Sequence, residues 1–204
     1  MDQLSASGPN RRPDPLPPAP GEEHSVALAL VNTRTVRSGA PVDALDTPEA
    51  ATSWLAEHTT DEGELRLDTA AAAGLRELRE AIRALLAAAI GRTDPPRSAV
   101  DTLNGALRAA PTVSALDWPS EDRPRRRAVA TGGDQVARAL SGLAEDALGL
   151  LCGSDAQTLA ACPADGCVRL LLRSHGRRQW CSTRCGDRVR AARHYARRRT
   201  AGID

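Results

Sequence analysis

The sequence of 204 residues contains no phenylalanine and no lysine, and aromatic side chains make up only 2% of it. Its hydrophobic core must therefore be built mainly from alanine, leucine and valine, of which alanine and leucine favour helices. β-branched residues are also scarce, which argues against an extended all-β sandwich. We therefore predict a mainly α protein.

The sequence also lacks a long hydrophobic run. The longest apolar stretch, residues 85–90, is far too short to span a bilayer. The N-terminus shows no basic start leading into an apolar segment, so we predict no signal peptide. We expect a soluble, cytoplasmic protein with no membrane partner. In a reducing compartment, five cysteines favour metal binding over a disulfide framework.

The net charge of +1 hides a strong asymmetry between the two ends of the chain. Residues 168–199 contain eleven arginines and a single acid, Asp187, whereas residues 1–167 hold sixteen arginines and twenty-four acids. A basic block of this density is typical of a nucleic-acid contact. The alternative interpretation is a solvated tail in a chain whose cations are all arginine.

Composition and periodicity divide the chain into three parts. Residues 1–22 contain six prolines and almost no large apolar side chains, which predicts a disordered lead-in. Residues 23–160 predict a helical domain with one β-hairpin at 112–130, around a Pro-Ser-Glu-Asp-Arg-Pro turn. Residues 161–200 predict a small zinc module that ends in a basic helix. We expect the helical domain to fold without the zinc module.

Caps and apolar spacing place the helices of the first domain. A short helix ends near Asn32-Thr33, Thr47 caps a second, and the longest extends from Asp68 to Gly91. Another covers residues 98–110, and a last one begins after Asp134 and reaches Cys152. Its predicted core residues are Val136, Leu140, Leu143, Leu148 and Leu151, and Cys152 itself is interpreted as a small buried hydrophobe.

Few residues of this domain suggest a small-molecule site. Asn32 and Thr33 could line a ligand pocket, although hydrogen bonds that end the first helix are the favoured interpretation. The four histidines are scattered, and the sequence contains no glycine-rich phosphate loop or nucleophile motif. We therefore predict that the protein is not an enzyme.

The strongest motif is a set of four cysteines, arranged as Cys162-x4-Cys167 and Cys181-x3-Cys185. Two short-spaced pairs can bring four thiolates together, and thiolates select zinc or an iron–sulfur cluster; zinc is the favoured interpretation. No histidine or carboxylate stands at ligand spacing, so four thiolates would close the coordination shell around one structural zinc ion. Residues 168–172 and 179–180 predict two paired strands joined by a turn at 174–177, which makes the arrangement treble-clef-like.

A helix is expected to follow, with Ser182 capping its start. Cys185, Val189, Ala192 and Ala196 fall on one stripe, which we expect to pack inward. The opposite face is cationic and predicts a surface that contacts phosphates or base edges of double-stranded DNA. The candidate DNA-contacting residues of this face and its flank are Arg184, Arg188, Arg190, Arg193, His194, Arg197 and Arg198.

These residues resemble the CGNR zinc finger family of bacterial proteins, through the cysteine spacing, Trp180-Cys181-Ser182 and Cys185-Gly186-Asp187-Arg188. The N-terminal part is similar to the ABATE domain, through Leu-Ala-Leu-Val-Asn-Thr at 28–33 and the segment from Ala44 to Leu55. The resemblance implies a stress-induced transcription regulator. Its zinc module would bind DNA, and its helical domain would sense a small-molecule effector.

The chain departs from the CGNR pattern in three places. Asp187 replaces the asparagine of the motif, Leu171 stands where the family often has an aromatic residue, and the connecting turn is shorter and lacks the usual aspartate. The change to Asp187 keeps a helix-start acceptor but adds a negative charge. The alternative to a DNA-binding regulator is a zinc-stapled adaptor whose basic helix docks on an acidic protein or RNA.

Overall fold

The computed structural model describes residues 16–59, 65–120, 122–173 and 179–201. The α-helices in these ranges are α1 (Val26–Val31), α2 (Pro48–His58), α3 (Thr69–Gly91), α4 (Arg97–Ala109), α5 (Gln135–Cys152) and α6 (Thr183–Ala201), and a short 3-10 helix covers Ser154–Gln157. The strands are β1 (Arg34–Arg37), β2 (Ala40–Asp43), β3 (Thr112–Asp117), β4 (Arg125–Ala130), β5 (Leu159–Ala161) and β6 (Leu170–Leu172). The prediction of a mainly α protein is confirmed.

Side-chain caps set the starts of three long helices. Thr47, Asp68 and Asp134 each accept a hydrogen bond from the backbone N–H three residues further on, at 3.2, 2.7 and 2.7 Å. Each cap satisfies a donor that has no partner within the first helical turn, which stabilises a helix by about 1 kcal/mol. The three predicted helix starts are therefore confirmed.

The core lies where α1, α3, α4 and α5 pack together. Along α3, the buried large side chains recur at helical spacing, as predicted. They are Leu75, Leu78, Ile82, Leu85 and Leu86. No helix in the described ranges is both long enough and apolar enough to cross a membrane.

Two predicted core residues of α5 are exposed. Leu148 is 38% exposed, and Cys152 is exposed at the end of the helix. The buried stripe of α5 is set instead by Ala139, Leu143, Ala147 and Leu150. Leu148 lies about 100° around the helix from Ala147, and Cys152 lies about 200° from Leu150, so neither faces the core.

The first domain contains the predicted hairpin, β3–β4, and also a second hairpin, β1–β2. The two turn residues of β1–β2, Ser38 and Gly39, both have positive φ angles, 51° and 82°. This conformation is the one that joins two strands through a two-residue turn. Thr35 and Val36 before the Ser-Gly pair are the sequence signal for this hairpin, but strands of four residues are too short to show a clear apolar alternation.

Residues 16–22 pack against the C-terminal module, contrary to the disorder predicted for residues 1–22. Ala19 is fully buried, and the Pro20 carbonyl accepts a hydrogen bond from the Leu172 N–H at 2.8 Å. Gly21 has φ +97°, and a Cβ there would lie 2.6 Å from Leu172 Cγ, so glycine permits this approach. The rest of the predicted lead-in, residues 1–15, lies outside the described part of the chain.

Strand β6 pairs with β5, not with residues 179–180 as predicted. The register aligns Leu159 with Leu172 and Ala161 with Leu170. This pairing places Leu159, Leu170 and Leu172 in the main hydrophobic core. Burial of three leucines therefore selects β5 as the partner. The turn predicted at 174–177 lies outside the described residues.

Arg79 is a buried cation in the middle of α3, only 2% exposed. Its guanidinium donates to both carboxylate oxygens of Asp43, at 2.5 and 2.7 Å, and to Thr33 Oγ1 at 3.0 Å. Burial would raise the pKa of Asp43, but the hydrogen bonds from Arg79 and from the Leu45 N–H outweigh it and lower this pKa below its usual value of 3.8. The network attaches the end of β2 to α3.

We expect Asp43→Ala to lower the free energy of unfolding by about 2–4 kcal/mol, because it leaves the Arg79 charge buried without its main partner. Asp101→Ala is the matched control, since it breaks an exposed pair with Arg97 and should cost less than about 1 kcal/mol. Chemical denaturation at neutral pH measures both values.

The cost should depend on pH with a defined sign. Because the pKa of Asp43 is lowered in the folded state, its contribution is present above pH 3.8 and is lost as the pH falls through the lowered value. A cost for Asp43→Ala that is equal to the control, or that grows on acidification, would contradict this account.

Candidate metal centre and basic helix

The first cysteine pair closes the β5–β6 hairpin. The Cys162 N–H donates to the Arg169 carbonyl at 2.9 Å, which continues the strand ladder to the edge of the loop. The Cys167 N–H donates to the Ala164 carbonyl at 2.9 Å, and Gly166 adopts a positive φ of 66°. This tight loop turns both sulfurs toward the same point, as expected for a zinc knuckle.

The second pair lies at the start of α6. Cys181 precedes the helix and Cys185 lies in its first turn, so both sulfurs are on one side of the chain. Ser182 Oγ accepts a hydrogen bond from the Cys185 N–H at 3.3 Å, which confirms the predicted cap. A knuckle is thus followed by a second pair of thiols, one just before α6 and one in its first turn.

The four sulfurs form one compact cluster. The Sγ atoms of Cys162, Cys167, Cys181 and Cys185 all lie within 4.8 Å of one another, and those of Cys181 and Cys185 are 3.5 Å apart. Tetrahedral zinc with Zn–S bonds of about 2.3 Å requires sulfurs separated by about 3.8 Å. The donor set and its spacing therefore fit one zinc ion with a closed shell, which is a structural rather than a catalytic site.

The close packing of the four thiols favours a cation bound between them. Hydrogen bonds with the Cys162 and Cys167 sulfurs, together with burial, raise the pKa of Cys181, whereas hydrogen bonds from Cys167 and Cys181 lower the pKa of Cys162. Four thiolates at these distances repel one another, so a divalent cation is needed to keep all four ionised. Arg188 Nη2 lies 3.5 Å from Cys185 Sγ and adds a further positive charge.

The inward stripe of α6 is shorter than predicted. Cys185 is buried and Val189 is partly buried against the zinc cluster, but Ala192 and Ala196 are exposed. Every residue from Arg190 to Arg198 is exposed. The packed side of the helix therefore ends after its second turn.

The predicted DNA-contacting residues are divided between two environments. Arg193, His194, Arg197 and Arg198 lie on the exposed second half of α6. Arg190 is held nearer the zinc cluster, since it pairs with Asp187 at 2.5 Å and its guanidinium lies 5.6 Å from the Trp180 ring centroid. A Cβ at Gly186 would lie 3.1 Å from the Trp180 ring, so glycine permits this packing.

Arg184 and Arg188 instead line a small cavity beside the zinc ligands. Two further arginines line it, Arg37 from the end of β1 and Arg169 from the residue before β6. No local spacing in the sequence predicts either one, because their proximity arises from tertiary packing.

Asn32 and Thr33 are engaged in internal hydrogen bonds. Asn32 Nδ2 donates to the Leu170 carbonyl at 2.9 Å, and the Leu170 N–H donates to Asn32 Oδ1 at 2.8 Å. Thr33 Oγ1 donates to the Leu30 carbonyl, which ends α1 as the favoured interpretation expects. Neither residue lines the larger cavity, a groove of about 490 Å³ between α5, the end of α2 and the β3–β4 hairpin.

Family models match nearly the whole of the described fold. The ABATE model, described as "Putative stress-induced transcription regulator", matches residues 24–154, and the CGNR zinc finger model matches residues 158–198. The chain belongs to the ABATE family. The CGNR match coincides with the four-sulfur cluster of this ABATE chain, so the resemblance noted in the sequence is confirmed for both parts. A search of the curated proteins returned no match.

We expect the purified ABATE chain to contain one zinc ion, and Cys181→Ser to lose it, because three thiolates no longer close the shell. Cys152→Ser is the matched control, since Cys152 is exposed and lies outside the cluster. Elemental analysis by mass spectrometry of both variants measures the zinc content. Full zinc content in Cys181→Ser, or loss of zinc from Cys152→Ser, would show that the ligand set is wrong.

Proposed function

We propose that this ABATE-family chain is a DNA-binding transcription regulator whose zinc finger presents α6 to duplex DNA. The family description supports a regulatory role, and the CGNR zinc finger supplies a module with a basic helix. The proposal assigns binding and no catalytic activity to the chain.

One observation carries the proposal most directly. The second half of α6 is exposed on every side from Arg190 to Arg198, and five of these nine residues are arginine or histidine. An exposed helix about 10–12 Å across with its side chains matches the width of the DNA major groove, which is about 12 Å. Its cations can contact phosphates on both sides of such a groove.

The fold gives this helix a fixed origin. The zinc cluster holds the first turn of α6 through Cys185 and the Ser182 cap, and Arg190 is held by Asp187 and Trp180. The distal half, from residue 190 onward, is then presented to a partner. In this arrangement Asp187, at the position of the family asparagine, orients Arg190. Arg184 and Arg188, nearest the start of the helix, are our candidates for reading base edges.

The acidic body of the chain supports the same division of roles. Residues 1–167 carry an excess of acids, so the helical domain repels DNA and leaves binding to the basic end.

For the effector, the groove of about 490 Å³ has the volume of a small-molecule site, whereas Asn32 and Thr33 face internal partners. We place the effector-sensing role at that groove.

We expect the double variant Arg193→Ala/Arg197→Ala to bind duplex DNA more weakly and with a smaller salt dependence. If each arginine neutralises one phosphate, the slope of log affinity against log salt should fall by about 1.8. Fluorescence anisotropy over a range of salt concentrations measures the slope, and Arg97→Ala, an exposed arginine on α4, is the control.

Zinc content and circular dichroism must be unchanged in the variants, so that unfolding is not mistaken for a lost contact. Comparing the affinity for a genome-selected site with the affinity for a scrambled duplex separates sequence-specific binding from non-specific binding. Unchanged affinity and slope in the double variant would reject α6 as the DNA contact and favour the adaptor that docks on an acidic protein or RNA.

A further inference from the structure

The cavity beside the zinc ligands is unusual in its charge. It has a volume of about 50 Å³ and lies between the β1–β2 turn and the zinc module. Four arginines line it and no acidic residue does, among the residues that the structure describes. The arginines are Arg37, Arg169, Arg184 and Arg188.

The cavity adjoins the four-cysteine cluster. Cys167, Cys181 and Cys185 contribute to its wall, but Cys162, the fourth ligand, does not. Its volume is far below the roughly 300 Å³ at which drug-sized ligands begin to fit. One water molecule needs roughly 10–15 Å³ of such space, so the cavity has room for a group of a few heavy atoms, such as a tetrahedral oxyanion.

Arg169 supplies the second, independent observation. Its side chain is only 4% exposed, and Nη2 donates to Glu22 Oε1 at 2.7 Å. The Nε and Nη1 atoms are buried and have no hydrogen-bond partner. Leaving two donors of a buried guanidinium unsatisfied is costly, so an acceptor is expected in the space that this side chain lines.

The charge around the cavity also favours an anion. Four guanidinium groups converge on it, which concentrates positive charge there. The start of α6 points the positive end of its dipole toward the same region, since Ser182 at its cap lines the cavity.

We propose that this cavity binds a phosphate group, held by Arg169 with Arg37, Arg184 and Arg188. Guanidinium groups bind phosphate oxygens through paired N–H donors, which explains why arginine serves here. The phosphate can come from a free phosphate anion or from a DNA backbone. The site itself does not depend on the proposed function, because inorganic phosphate alone tests it.

The experiment uses the full-length, zinc-loaded protein and isothermal titration with inorganic phosphate, against chloride at equal ionic strength and pH. We expect saturable binding and a phosphate-dependent rise of a few degrees in the melting temperature. Both should be lost in Arg169→Gln and in Arg37→Gln. Arg34→Gln, an arginine of the same strand that pairs with Glu80 outside the cavity, should retain them.

The comparison between variants is more informative than the rise in melting temperature of the wild type. Phosphate raises the melting temperature of many proteins simply because it is excluded from their surface. Arg169 is buried and Arg169→Gln can misfold, so Arg37→Gln, with its zinc content verified, keeps the test decisive. No saturable binding to wild type, or equal binding in Arg37→Gln, would overturn the proposal. The proposal would also be overturned if Arg169→Gln lowered the affinity for zinc while phosphate had no effect on the wild type. The thiolates would then be the acceptors for the unpaired Arg169 donors.

A final arm identifies the source of the phosphate group. If the site takes a backbone phosphate, inorganic phosphate at constant ionic strength competes with duplex DNA, and Arg37→Gln weakens DNA binding. If it takes a free anion, Arg37→Gln loses phosphate binding and keeps its affinity for DNA. Both results support the site, and neither depends on the contribution of Arg193 and Arg197.

Discussion

A pair of opposed hydrogen bonds between Asn32 and Leu170 holds the two parts of this molecule together. The amide side chain satisfies both backbone groups of a strand residue that comes 138 positions later in the chain. Glu22 accepts from the same amide and from Arg169, and Arg83 reaches the carbonyls of Val31 and Val168. Because β6 is anchored in this way, the zinc cluster and the cavity beside it take their position from α1 and α3.

This anchoring argues against the expectation that the helical domain folds without the zinc module. Leu159, Leu170 and Leu172 belong to the core of the helical domain, although they flank the metal-binding loop. A chain cut near Ala160 would therefore expose apolar surface in α1 and α3 as well as lose the zinc ligands. The helical domain and the zinc module share a core, even though separate family models match them.

Local signals in the sequence predicted the helices and the metal ligands well. The caps at Thr47, Asp68 and Asp134 and the four-cysteine spacing depend only on residues near one another in the chain, so they can be identified without a structure. Contacts between distant segments left no such signal. The pairing of β6 with β5, the burial of Ala19 and the convergence of Arg37 and Arg169 all follow from how leucines and guanidinium groups are buried in the folded chain. The exposure of Leu148 was missed because alanines, which a search for large apolar residues overlooks, set the buried stripe of α5.

The exposed half of α6 has a consequence for how the helix itself responds to salt. Arg193 and Arg197 stand four residues apart, with Arg190 and His194 close by, and like charges at this spacing repel along a helix. Because residues 190–198 are exposed, their helicity depends strongly on local propensity, which this repulsion opposes. Added salt screens the repulsion and strengthens the free helix, while it weakens attraction to a polyanion. Ionic strength therefore acts on the folding of this segment and on its binding in opposite directions.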